Sequence, residues 1–166
     1  MGVLKNMLLI GLALASAVFG WRVLRSALAS NEQKIRWVFE DVQQGFDATR
    51  LAPVIGGFEP GFRDESSGMT RNELRDVLIY LFLNEHDPET KRFSLRMELD
   101  PDALEIEMTG PAHAAVRGAA RFIEVRAGVE RVFWDARFVA ELDELEDGWQ
   151  IVRTSQVNLT DLQDLD

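Results

Sequence analysis

Apolar and polar positions follow three different patterns along the chain. Residues 7–21 carry no charged side chain and no period, running from Met7, Leu8, Leu9 and Ile10 to Phe19 and Trp21. From Ser30 the period is helical. Ser30-Asn31-Glu32-Gln33 has the spacing of a capping box, and Ile35, Val38, Phe39, Val42 and Phe46 form one apolar stripe, which predicts a helix to about residue 49. A short segment over residues 51–55 ends at Gly56-Gly57, and residues 58–69, with Pro60, Gly61, Ser66, Ser67 and Gly68, read as loop. Thr70-Arg71-Asn72-Glu73 is a second capping box. It opens a helix with Leu74, Val77, Leu78, Leu81 and Phe82 on its face and a stop near Pro88.

Beyond Lys91 the period falls to two. Phe93, Leu95 and Met97 alternate with Ser94, Arg96 and Glu98; after Asp100-Pro101-Asp102, Leu104, Ile106 and Met108 alternate with Glu105 and Glu107. This predicts a hairpin with one buried face. A third strand covers residues 112–126, and its apolar parity slips between Val116 and Ile123, which reads as a bulge near Gly118. Val132, Trp134, Ala136, Phe138, Ala140 and Leu142 alternate along a fourth strand, and residues 149–157 close the domain after the turn Glu146-Asp147-Gly148. Helices followed by a long-stranded antiparallel sheet make an α+β domain, with the helices covering the concave face of a curved sheet.

The apolar run decides where this domain is expected to sit. Its 15 residues fall short of the roughly 20 that span a bilayer as a helix, but snorkelling by Arg22 lets Val23 and Leu24 extend it, giving a single-pass span over residues 7–24. Ala27-Leu28-Ala29 has the small residues of a cleavage site, yet Arg22 and Arg25 lie before it, where charges are unusual. An uncleaved anchor with Trp21 at the interface is the expectation. The organisation is then a membrane anchor over residues 1–30, a domain over 31–158 and an acidic tail over 159–166. Arg22, Arg25, Lys34 and Arg36 after the span argue for a cytoplasmic domain, while the very short tail before it argues for export. The extracytoplasmic side is the weakly preferred expectation.

Lys5, Arg22 and Arg25 are the only charges in the first thirty residues, so the rest holds 15 basic against 28 acidic residues, a formal charge of −13. That field repels nucleic acid and anionic headgroups. The chain has no cysteine, which removes disulfides and thiolate metal sites.

The helix over residues 35–46, the paired strands over 112–126 and 129–142, and the closing Gly148-Trp149-Gln150-Ile151-Val152 together resemble the NTF2-like superfamily. Its members wrap a curved sheet around helices as a cone. The resemblance covers nearly all of residues 31–158 and implies the fold. Members include isomerases, dehydratases, epoxide hydrolases, transport adaptors and scaffolds, so it implies no single activity. Ketosteroid isomerase-like members use a helix tyrosine and a strand aspartate; the one tyrosine here, Tyr80, lies off the apolar stripe of its helix. Epoxide hydrolase-like members use an Asp-Arg-Asp relay. Asp135 and Arg137 share a parity, with Arg117 and Arg121 on the strand before, but Trp134, Ala136 and Phe138 hold the core parity. A cross-strand ladder of charges on the outer face is therefore expected. His86 and His113 have no second histidine at ligand spacing, and the acidic run from Glu141 to Asp147 lacks a calcium-loop pattern. No metal and no cofactor are expected.

Two features favour binding. Ala114, Ala115, Gly118, Ala119 and Ala120 leave space on the sheet for a pocket lined by Met97, Met108, Trp134 and Phe138, with Tyr80 at its margin. The opposite parity, with Arg131, Phe133, Asp135, Arg137 and Val139, suits a homodimer or a partner protein. The expected function is a non-catalytic, membrane-anchored binding or scaffold domain for a partner protein or apolar ligand. The alternative is a small-molecule isomerase or hydrolase of the same fold. It requires two or more of Asp41, Asp47, Tyr80, Arg117 and Asp135 to converge in a buried pocket.

Overall fold

The computed structural model describes residues 29–158. The chain divides into two compact units, residues 1–34 and 35–166. The expected span over residues 7–24 and the tail over 159–166 lie outside the described residues. Among the described residues no helix is long and apolar enough to cross a membrane.

Helix α1 (Asn31–Asp47) opens at the expected cap, with Ser30 Oγ accepting from the Gln33 N–H at 3.2 Å. Ile35, Phe39, Val42 and Phe46 are its buried row. Gly45 shares that face because α2 (Leu51–Gly56) packs directly on it: a Cβ there would lie 2.9 Å from both Pro53 Cγ and Val54 Cγ2. Helix α3 (Arg71–Asn84) begins with the expected capping box, in which Thr70 accepts from the Glu73 N–H and Glu73 accepts from the Thr70 N–H.

The sheet contains β1 (Phe58–Asp64), β2 (Leu95–Leu99), β3 (Glu105–Gly110), β4 (His113–Arg126), β5 (Val129–Leu145) and β6 (Gly148–Asn158). Its order is β1-β6-β5-β4-β2, and β3 also pairs with β4. Strand β1 corrects the loop expected over residues 58–69. It is an edge strand parallel to β6, and its register breaks between Phe58 and Arg63, where Pro60 and Gly61 lie. A proline is tolerated there because an edge strand does not need every N–H in the ladder.

The expected hairpin is also corrected. Strands β2 and β3 do not pair with each other; β2 pairs with the Ala120–Glu124 half of β4 and β3 with the half nearer His113. Between them Pro101–Ala103 forms one 3₁₀ turn, with Asp100 accepting from the Asp102 N–H at 3.0 Å. The two short strands thus run one after the other along the same edge of the long β4. The bulge lies further along than expected: Phe122 faces Trp134 and Ile123 faces Val132, which leaves Phe133 as the extra residue on β5. Gly118 has another role. A Cβ there would come within 2.9 Å of Phe138 Cζ and 2.5 Å of Leu104 Cδ2, so the missing side chain is the space those two occupy.

Two buried clusters line the concave side. One joins Ile35 and Phe39 to Phe62, Leu104, Val116, Leu142, Trp149 and Ile151. The other joins Val42 and Phe46 to Val54, Leu78, Leu95 and Met97.

Candidate functional site

Where the two clusters meet, the cone keeps a cavity of about 210 Å³. Helix α1 contributes Phe39 and Val42, β1 contributes Phe58 and Phe62, and the sheet contributes Met97, Phe122, Trp134 and Phe138. Ala120 lines the floor, and its small size leaves the space above it open. The polar wall is Asp64, Ser67, Thr154 and Gln156.

Asp64 is buried and fully engaged. One oxygen accepts from the Ser67 N–H at 2.9 Å and from the Ser67 hydroxyl at 2.6 Å; the other accepts from the Thr154 hydroxyl at 2.9 Å. The turn that presents Ser67 closes through Gly68, at φ 77°, whose N–H donates to the Asp64 carbonyl at 2.8 Å. Sequence reasoning missed this group because it read residues 58–69 as loop. The spacing Asp64…Ser67-Gly68 was the available signal, since such a carboxylate folds back on its own turn.

A second, open groove of about 630 Å³ lies between α3 and the far ends of β4 and β5. Val77 and Leu81 form its helix wall, and Phe133 and Arg131 its strand wall. Met69, Phe122 and Trp134 line both spaces, so the cavity and the groove adjoin.

Of the expected pocket residues, Met97, Trp134 and Phe138 line the cavity. Tyr80 does not: it is 61% exposed, because it lies off the stripe through Leu74, Leu78 and Leu81. Met108 is also exposed. It has the inward parity, opposite Ala114, but its strand pairs on one side only. The expected outer-face group divides. Asp135, Arg137 and Val139 keep the outer parity, whereas the bulge at Phe133 turns Phe133 and Arg131 toward the groove beside α3. On the outer face Arg137 and Val139 border an open depression with Arg117, Ser155 and Val157.

The acid–base candidates do not converge. Asp41 is exposed. Asp47 accepts from the Met97 N–H at 2.8 Å, and burial pushes its carboxyl above the ordinary value. Arg117 pairs with Glu107 at 3.3 Å, and Arg121 pairs with Asp135 at 3.0 Å across β4 and β5. His113 Nδ1 lies 2.6 Å from Asp143 Oδ1 on exposed strand surface, and the His86 ring stands 6.3 Å from that of Phe93. Among the described residues no group of three His, Cys, Asp or Glu side chains is placed to hold a metal ion.

A curved sheet in this order, with helices on its concave side, occurs in many solved structures. An NTF2-like protein with a cystatin-like fold from Novosphingobium aromaticivorans superposes with a TM-score of 0.62 at 12% identity, over 88% of this chain and 90% of that one. The fold is the NTF2-like, cystatin-like one. A ketosteroid isomerase-like protein from Erwinia carotovora atroseptica matches the NTF2-like domain with a TM-score of 0.55 at 19% identity, over 80% of this chain and 98% of that one. A candidate scytalone dehydratase from Novosphingobium aromaticivorans gives 0.60 at 14%, over 76% and 82%. Identities this low carry the fold and no activity. No family profile and no curated protein sequence matches the chain.

Proposed function

We propose that this NTF2-like domain binds a small, largely apolar molecule inside its cone and does not transform it. The observation that carries the reading is the cavity of about 210 Å³, whose wall is aromatic and aliphatic apart from four polar side chains. Its only carboxylate, Asp64, is held by Ser67 and Thr154 on both oxygens, and no Tyr, His, Lys or Arg lines the space. A general base needs a partner group and a free face toward the substrate. The isomerase or hydrolase alternative would rest on Asp64 alone. In the same proposal residues 7–24 hold the domain at a membrane, and the outer sheet face with Arg137 and Val139 stays open to a partner protein or a second copy.

The test is recovery of bound molecules. The full-length protein is purified, denatured and extracted, and the extract is compared by mass spectrometry with that of Ala120→Leu, which fills the cavity floor. An apolar compound released by the wild type and absent from a folded A120L variant supports the reading. A protein that releases nothing and binds no added apolar fluorophore overturns it.

A further inference from the structure

The cavity holds one acidic side chain, Asp64, and the adjoining groove holds two acidic and two basic ones. At the inner end stands Asp64, with both oxygens occupied by Ser67 and Thr154. At the outer end the groove holds four charged side chains: Glu85, Glu124, Arg126 and Arg131. Arg126 engages both acids, donating to Glu85 at 2.9 Å and lying 2.6 Å from a Glu124 oxygen as an ion pair. Arg131 faces Glu124 across the β4–β5 ladder, but among the described residues no carboxylate lies within ion-pair distance of it. It is the one cation of the groove that makes no close ion pair among the described residues, although Glu124 is its cross-strand neighbour. The bulge at Phe133 is what brings it to this side of the sheet.

The path between the two ends is apolar. Met69, Phe122 and Trp134 line both spaces, and Val77, Leu81 and Phe133 continue the surface outward to Arg131. Val77 and Phe133 both line the groove and are 42% and 44% exposed.

We infer that the ligand of this NTF2-like domain is an amphiphilic monoanion, an acyl or aryl body in the cone with a carboxylate-like head group at Arg131. The inference rests on the cavity reading proposed above and adds the polarity and direction of the ligand. An anionic head cannot lie at the inner end, where it would meet the Asp64 carboxylate away from water. At the outer end a guanidinium with free donors takes a carboxylate oxygen in a charge-assisted hydrogen bond. The apolar body then covers Val77, Leu81 and Phe133 on its way into the cone.

The experiment is calorimetric titration of the full-length protein with octanoate and with octanamide, which share a chain and differ in head-group charge. Octanoate is expected to bind about tenfold tighter, the scale of one charge-assisted contact at an exposed side chain. In Arg131→Gln the two should bind alike, the preference for octanoate being lost. If octanoate and octanamide bind the wild type equally, or if R131Q keeps the preference, the head-group assignment is overturned while the apolar cavity stands. If neither compound binds, the cavity reading fails and takes this inference with it.

Discussion

The Asp87 carboxylate accepts a hydrogen bond from the Ala127 backbone N–H at 2.8 Å, joining the segment after α3 to the turn between β4 and β5. Its other oxygen accepts from the N–H groups of Glu89 at 2.9 Å and Thr90 at 2.6 Å. The bond from Ala127 first, and that from Thr90 next, favour the ionised form and hold the pKa down to about 2 from an ordinary 3.8. A folded value below the unfolded one means that the carboxylate's contribution is fully present above about pH 4 and is lost as pH falls through about 2. Urea unfolding should therefore show a midpoint that drops across this window. Asp87→Asn should be less stable at neutral pH and show a smaller drop on acidification. An unchanged acid profile in D87N would remove Asp87 as the cause.

Much of this architecture was legible before any coordinates. The capping box at Thr70 forms in full and Ser30 caps α1 through its hydroxyl, because a cap is a local hydrogen-bond pattern written within four residues. The α1 stripe and the inward row Trp134, Ala136, Phe138, Ala140 and Leu142 were equally local, but Val132, read as the start of that row, is 47% exposed because the bulge at Phe133 breaks the alternation. Pairing was not. The alternation around Met97 and Ile106 marks two strands, but nothing in it says that both lie along β4 instead of against each other. Strand β1 was invisible because Pro60 and Gly61 carry the composition of a turn, and only its edge position makes them tolerable. That error hid Asp64, and a bulge placed at Gly118 instead of Phe133 hid the groove.

Gly118 should resist any enlargement. Adding one methyl group forces Leu104 or Phe138 to move, and Phe138 stacks on Phe39 with ring centroids 5.8 Å apart. Overpacking of this kind costs about 1–3 kcal/mol. Chemical denaturation of Gly118→Ala should show that loss, together with weaker binding of any cavity ligand, since Phe138 lines the cavity. A G118A protein as stable as wild type would mean that the space is less tightly filled than the contacts indicate.

Phe46 is the centre of the second cluster. Its ring meets those of Phe122 at 5.0 Å, Phe93 at 5.5 Å and Phe82 at 5.8 Å, and the side chain is 1% exposed. Truncation to alanine removes the group on which α1, α3 and the sheet all close, so a loss of about 3–5 kcal/mol is expected. Phe46→Leu should recover part of it. The check is the urea midpoint of both variants, and similar midpoints for Ala and Leu would contradict a packing role.

Asp64 and Thr154 join β1 to β6 inside the cone, and this bond separates a structural from a catalytic reading of the cavity's only carboxylate. β1 is held by a broken parallel ladder, and Thr154 is its last register partner, opposite Asp64 itself. The side-chain bond at 2.9 Å therefore reinforces the end of the ladder where the backbone pairing stops. Removing a buried acceptor leaves the Thr154 and Ser67 hydroxyls without it, so Asp64→Ala should cost about 1–3 kcal/mol. Thr154→Val removes one donor and should cost about 1 kcal/mol. If the two groups act through each other, the double variant will be less destabilised than the sum of the singles, and the difference is their coupling. A catalytic carboxylate held free for substrate would give no such coupling, and additive losses in the cycle would reopen the enzyme alternative.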